Sequence, residues 1–449
     1  MLAVCFSIGA VPADAQTKKQ INDAQDLAKE GDKAYNKRDF ELAVTKYGQA
    51  IAIVPNNGYS HFWKGSAHYQ LKQYDQAISE LDTAFEQGFK ADQVVAVRWQ
   101  ANYDKKNYDA ALKDLDSLIT TAPNDLVLLI SRGDIYIAKK AYSDALAAYK
   151  SAQAVAPNNP DVHYGIANSH YFLGNVKEQG ISADAAIKGN TRYLGNAFFL
   201  LGDSYQKQRN LTEAANAYVK WVAAKPEDYT AYRRLADVYR GLGRFKDAID
   251  ILKRSFQYFP PKGETYTELG WYYSLTNRDQ DAVEAARSGV MLSPGNFAAH
   301  TNLCRAYNGV KQFQLAVNSC TTALRLKPSD GETYFYLARA QDSLNKTADA
   351  TRSYKRAVQG LTQYTKENPD FTDGFYLLGN ALLADNQVEK AVAANKRAVE
   401  LSPGFAKARY NLGITYLAQK NKPLAVEQYD ELLKIDSDQA AKLKAEIDK

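Results

Sequence analysis

The chain is poor in the residues that most often carry chemistry. Its 449 residues include three cysteines, two methionines, five histidines and four tryptophans. No H-E-x-x-H, P-loop, G-x-S-x-G or Cys-x-x-Cys occurs, which removes the commonest metalloprotease, nucleotide, serine-hydrolase and dithiol signatures. Gly241-Leu242-Gly243 lacks the third glycine of a dinucleotide fingerprint. His61 and His68, like His163 and His170, are seven apart rather than the four that suits a shared metal. With His300 they fall where aromatic or aliphatic residues occur elsewhere in the chain, so they read as core residues. Scattered carboxylates define no acid–base pair. No catalytic residue, metal or cofactor is expected, and the chain reads as non-enzymatic.

Charge of one sign is also scarce. The net +5 arises from 56 basic and 51 acidic residues that are interspersed, which gives no basic stripe for nucleic acid. Beyond the first residues no apolar run approaches the roughly 18 needed to span a membrane. The start differs. Leu2 to Val11 is apolar and Ala13-Asp14-Ala15 precedes Gln16, the pattern of a secretory leader with an A-x-A cleavage site, though no basic residue precedes it. We therefore expect a leader over 1–15 with its true start upstream, a linker over 16–23, and a soluble periplasmic or secreted chain whose membrane association, where it occurs, runs through a partner.

What the chain has in abundance is repetition. Small residues recur at Gly31, Gly65, Gly133, Ala167, Gly202, Ala236, Gly270, Cys304, Ala338, Gly379 and Gly413, with Trp99 completing the series, at steps of 34 broken once by 35 and once by 41. Twelve residues after each stands an alanine, from Ala43 to Ala425, except at Gln179. Prolines close eight of the units: Pro55, Pro123, Pro157, Pro226, Pro260, Pro294, Pro328 and Pro403. Within a unit, apolar residues recur at helical spacing, as Tyr232, Leu235 and Tyr239 and then Ile249, Leu252 and Phe256. Each unit reads as two short helices that cross at small residues and are stopped by proline.

This pattern resembles the tetratricopeptide repeat. Period, small residue, alanine and proline agree, as does a tyrosine three residues after the small position (Tyr136, Tyr205, Tyr239, Tyr273, Tyr307, Tyr416). The resemblance covers 24–439. It implies an all-α fold, an α-solenoid of about twelve helix-turn-helix units in a right-handed superhelix, whose task is holding other proteins. Units 1–5 span 24–194 and units 6–12 span 195–439, with a softened seam at Gly189-Asn190, and 440–449 form a capping helix. The unit 331–371 is seven residues too long; its second helix is expected to run on to Pro369, either as a tolerated insertion or as a projection toward a partner.

Cys304 and Cys320 lie in one unit. In an antiparallel pair turning near Lys311-Gln312 they face each other, which argues for a disulfide; the alternative is two buried thiols. The resemblance also implies a concave groove lined by each first helix. Its positions select Arg233, Asp237, Trp271, Asn302, Arg305, Tyr336, Arg339, Tyr376, Asn380 and Asn411 as binding residues for peptide segments of partner proteins. Asn380 and Asn411 match two positions of the family's two-carboxylate clamp, but Tyr376 stands where its lysine belongs, so that activity is not carried over. A carrier or assembly factor for envelope polysaccharide, and a regulatory subunit of a separate enzyme, are the alternative readings.

Overall fold

Where glycine holds the small position of a first helix, there is little room for a side chain. A Cβ on Gly31 would lie 2.6 Å from the Tyr47 ring, on Gly133 2.6 Å from Tyr149, and on Gly202 2.3 Å from Tyr218. In each case the partner stands sixteen residues later, on the antiparallel second helix. The alanine twelve residues on completes the crossing; Ala43, Ala77, Ala111, Ala145, Ala214, Ala248 and Ala282 have no exposed surface. A bulky residue at these glycines or alanines would force apart two helices that are too short to persist alone; among first helices only α5 carries one, Trp99.

In the computed structural model, which describes residues 17–449, this unit is used throughout. The first five pairs are α1 (Lys18–Asn36), α2 (Phe40–Ile53), α3 (Gly58–Gln70), α4 (Tyr74–Glu86), α5 (Ala91–Asp104), α6 (Tyr108–Thr121), α7 (Leu126–Ala138), α8 (Tyr142–Val155), α9 (Pro160–Leu173) and α10 (Val176–Lys188). Next come α11 (Leu194–Lys207), α12 (Leu211–Ala224), α13 (Tyr229–Gly241), α14 (Phe245–Ser255), α15 (Gly263–Leu275), α16 (Asp279–Leu292), α17 (Phe297–Gly309), α18 (Phe313–Leu326), α19 (Gly331–Ser343) and α20 (Thr347–Glu367). The chain ends with α21 (Thr372–Ala384), α22 (Val388–Leu401), α23 (Ala406–Ala418), α24 (Lys422–Leu433) and α25 (Ser437–Ile447). The described residues contain no strand, and none of their helices is long and apolar enough to cross a membrane. The fold is an all-α solenoid of helix pairs.

Turns inside the pairs share one feature that the sequence pattern does not advertise. Seven residues after the small position the backbone is left-handed. Arg38, Lys72, Lys106, Lys140, Arg209, Asn277, Lys311, Asn345, Asn386 and Lys420 have φ of 59–67°, and Gly174 and Gly243 fill the two remaining places at 75° and 72°. Ten of twelve thus accept the small strain of a non-glycine residue there.

The chain divides into two compact units, one ending at Tyr193 and the other spanning Leu194–Lys449. The division falls beside Gly189-Asn190, and Asn190 has φ of 61°. The leader proposed over 1–15 lies outside the described residues. The expected linker over 16–23 is corrected: α1 begins at Lys18, with Thr17 and Gln20 forming a capping box. At the other end α25 packs Leu443 into the space above Gly413, where a Cβ would meet it at 2.6 Å.

In the first unit, polar contacts join neighbouring pairs. Asp32 accepts from Tyr47 and Tyr59, each at 2.7 Å. In the second unit the stack also meets itself far along the chain. A Cβ on Gly243, in the α13–α14 turn, would lie 2.5 Å from the Gly404 carbonyl. Phe245 meets Phe405 edge-on at 5.0 Å, and Lys407 Nζ donates to the Ser274 carbonyl at 2.9 Å.

The long unit resolves differently from a projection. Second helices are mostly 13 or 14 residues; α20 has 21, and its added turns bury Leu361 and Thr365. Gly360 rests on Gly331, where a Cβ would be 2.8 Å from the Gly331 backbone. The extra length is directed into the fold.

Candidate functional site

The seven added residues of α20 form one wall of a cavity of about 460 Å³ within the second unit. Leu361, Gln363, Tyr364 and Glu367 from this extension face Glu268 and Trp271 of α15 across the space. α17 contributes Phe297, Asn302 and Arg305, and α19 contributes Glu332. Phe371, Asp373 and Leu377, at the start of α21 and just before it, complete the lining.

Arg305 is the central charge. Only 6% of it is exposed. Its guanidinium carbon lies 5.6 Å from the Trp271 ring centre and 4.7 Å from that of Tyr336, so the cation is held between two aromatic faces. Nη2 meets Glu332. Nε and Nη1 are buried and have no acceptor. Asn302, one helical turn earlier, is committed: its Nδ2 donates to the Thr267 carbonyl at 2.8 Å.

The other charges of the cavity are mostly paired. Glu268 meets Arg233 at 3.2 Å; burial raises its pKa, and Arg233 opposes the rise. Lys327 lies 3.3 Å from Asp330 and 4.4 Å from the centre of the Phe297 ring. Arg240 pairs with Asp237 at 3.3 Å and sits 5.1 Å from the Phe371 ring centre. Asp373 is 3% exposed and makes no ion pair among the described residues. Burial pushes its carboxyl up to about 6, while the charges of Arg240 and Arg305 pull the other way.

The ten proposed groove residues thus separate by setting. Trp271, Asn302 and Arg305 line the cavity. Asn302, Arg305 and Tyr336, expected to face an open groove, are buried instead: Asn302 bonds Thr267 of α15, and Arg305 packs between Trp271 of α15 and Tyr336 of α19. Tyr376 is half-buried, 4.9 Å from Phe405, and Asn411 donates to Asn380. Arg233 and Arg339 are exposed, and Asp237 is half-buried. Glu332, Tyr364, Phe371 and Asp373 were missed from sequence; the seven-residue excess before Pro369 was the available signal.

Cys304 and Cys320 are bonded to each other, with Cα atoms 5.3 Å apart. They occupy the small position and its partner sixteen residues on, where α1–α2, α7–α8 and α11–α12 set glycine against tyrosine. Three histidines are buried as expected: His61, whose Nδ1 meets Glu80 at 2.6 Å, His68, and His170, which meets Asn175 at 3.1 Å; His163 and His300 are only half-buried, His300 bonding the Pro294 carbonyl at 3.0 Å. No group of three potential metal ligands occurs among the described residues.

Known proteins share this repeat. A family profile described as "Tetratricopeptide repeat" matches residues 29–90, 199–258, 352–406 and 376–440, and one described as "TPR repeat" matches 133–174. Together they cover more than half of the chain. The small glutamine-rich tetratricopeptide repeat-containing protein 2 of Saccharomyces cerevisiae is 41% identical over 71 residues, 16% of this chain and 20% of its own length. Hsp70-Hsp90 organizing protein 2 of Arabidopsis thaliana is 21% identical over 242 residues, 54% of this chain and 36% of its own. The chain therefore spans well under half of these curated relatives. Among solved structures, MamA aligns over 37% of this chain and 97% of its own at 22% identity with a TM-score of 0.33. The Cut9–Hcn1 assembly aligns over 96% and 99% at 14% identity with a TM-score of 0.32.

Proposed function

We propose, from the premise that this chain belongs to the tetratricopeptide repeat family, that it is a non-enzymatic scaffold holding peptide segments of partner proteins in the cell envelope. One observation carries the reading. The residue after the small position forms a row along successive first helices: Asp237, Trp271, Arg305, Arg339 and Asn380. Asp237, Trp271, Arg339 and Asn380 of this row keep exposed surface, whereas Arg305 is buried and packs against Trp271. Arginine and tryptophan are the residues most often found at binding hot spots, since they bury large area and bond backbone or carboxylate groups. The exposed members of the surface are Arg233 and Arg339, with half-buried Asp237, Trp271, Tyr376, Asn380 and Asn411 beside them.

Export to the envelope is supported by the apolar segment ending in Ala13-Asp14-Ala15 and by the Cys304–Cys320 bond. Such bonds persist in oxidising compartments and are rare where thiols are kept reduced.

Arg233→Glu combined with Arg339→Glu tests the surface without entering the core. Affinity capture from envelope extract should lose its partner at least ten-fold with this variant. Undiminished capture would remove the surface from consideration. Tryptophan quenching by oligosaccharides but not by peptides would favour a polysaccharide carrier instead.

A further inference from the structure

We propose that the cavity of about 250 Å³ between α3, α5 and α7 in the first unit receives an arginine side chain from an extended partner segment, with the guanidinium against Trp99, Tyr69 and Tyr103 and its charge at Asp104 and Asp134. The proposal rests on the peptide-holding reading above and adds a second place to it, in the other unit and of opposite charge, in which Arg233 and Arg339 take no part.

The cavity follows from one break in the repeat. Trp99 stands at the small position of α5, where the other first helices carry glycine, alanine or cysteine. Its indole packs against the cluster of Leu112, Leu115 and Ile135, and its remaining surface lines the cavity. Tyr69 of α3 and Tyr103 of α5, one unit apart in the same register, line it with Ser131 of α7. Small-molecule sites run from about 300 to 1,000 Å³, so this volume suits one side chain better than a whole ligand. Tyr35 repeats the register on α1, which carries the aromatic row on along the first helices for the rest of the segment.

Charge decides the side chain. Two carboxylates line the space, and among the described residues neither has an ion pair: Asp104 accepts from Tyr69 at 3.0 Å and Asp134 from Tyr149 at 2.5 Å. Both are exposed, so an entering group reaches them. A carboxylate has roughly four acceptor sites, and one tyrosine does not fill them. The cations nearby are engaged elsewhere. Arg98 holds Asp82 and Asp114, Lys105 holds Asp75, and Arg132 holds Asp116. Arg192, whose charge acts on Asp134, pairs with Asp161 at 3.0 Å.

The rings are free as well. Cations in the first unit lie over Phe85, Phe89 and Tyr193, and none lies over Tyr69, Trp99 or Tyr103 among the described residues. The cavity of the second unit is the reverse, since Trp271 and Phe371 already hold Arg305 and Arg240. Uncovered aromatic faces beside unpaired carboxylates complement a cation. Arginine meets both demands at once: its flat face stacks on rings while its edge bonds carboxylates, whereas an ammonium is a compact, strongly hydrated point charge. Asp104 ends α5 and Asp134 lies within α7, so a fork of donors serves the two better than a point.

The experiment is a fluorescence-anisotropy titration of the full chain at about 0.15 M salt, where distant surface charges are screened. The probe is a fluorescein-labelled peptide of alternating arginine and serine. Its controls replace arginine by citrulline, which keeps the shape and lacks the charge, or by glutamate. The arginine peptide should bind at least ten-fold more tightly than either control. Asp104→Asn with Asp134→Asn removes the charges and keeps acceptors for both tyrosines; it should weaken binding at least ten-fold. Ser131→Phe fills the cavity and leaves both carboxylates; it should do the same. Far-UV circular dichroism should be unchanged in both variants. Arg233→Glu with Arg339→Glu should bind the arginine peptide as the native chain does, so that failure here and failure of the exposed arginine surface are read separately. No binding of the arginine peptide, equal binding of the citrulline peptide, or full binding by either folded variant would each overturn the proposal.

Discussion

Two arginines, half-buried Arg98 in the first unit and buried Arg305 in the second, show how the same repeat serves two ends. Arg98 in the first unit gives every guanidinium nitrogen an acceptor. Nε and Nη2 donate to Asp114 at 2.8 and 2.6 Å, and Nη1 donates to Asp82 at 2.7 Å. Asp82 and Asp114 belong to successive second helices, α4 and α6, so this arginine ties adjacent pairs together. Arg305 in the second unit has one acidic partner, two aromatic faces and two nitrogens unmet. A satisfied network rigidifies a fold; an unsatisfied one needs another explanation. The first arginine ties adjacent pairs together, whereas the second leaves two buried donors unused.

The comparison breaks most readily at Arg98. Arg98→Met strands Asp114, which is 5% exposed, and breaking such a pair from one side costs about 3–5 kcal/mol. Chemical denaturation should show this loss in the transition of the first unit. Arg305→Met with Glu332→Gln should leave that transition where it is. If the two variants shift the same transition equally, the distinction between the arginines fails.

Next in size is the disulfide. It closes a loop of 16 residues, and Cys304→Ala with Cys320→Ala should destabilise the second unit by about 3 kcal/mol. Reduction with dithiothreitol should reproduce the shift in thermal melting, and the double variant should then be indifferent to reductant.

Asp373 yields a smaller, pH-dependent effect. Its folded carboxyl titrates near 6, above the ordinary 3.8. The folded state therefore holds its proton more tightly. This contribution is fully present below the unfolded value and is lost as pH rises through about 6. Asp373→Asn should accordingly stabilise the second unit by roughly 1–3 kcal/mol at pH 7.5 and by little at pH 4. Melting curves at the two pH values check both sign and window. The smallest effect belongs to the surface: Arg233→Ala removes exposed pairs with Glu264 and Glu268 and should change stability by less than about 1 kcal/mol.

Most of the fold is legible in the sequence because each pair is specified locally. A small residue, an alanine twelve later and a proline at the end suffice to place two helices, and Cys304 could be matched to Cys320 from the turn alone. What escaped was information at longer range. Nothing in a period of 34 says that the turn at Gly243 will meet Gly404 some 160 residues on. The excess length before Pro369 was visible, but not that Leu361 and Thr365 would point it inward. Arg305 was legible as a binding residue by its place in the row. Its burial was not, since the side chains that cover it come from neighbouring pairs, Trp271 of α15 and Tyr336 of α19.

The account rests on Arg98 being complete and Arg305 being incomplete. The direct measurement is the arginine Nε–H spectrum of the full, isotopically labelled chain, assigned by the Arg98 and Arg305 variants. The account predicts that the Arg98 Nε–H, which donates to Asp114, resonates downfield of the Arg305 Nε–H, which has no acceptor. Coincident shifts, or an Arg305 signal downfield of Arg98, would contradict it.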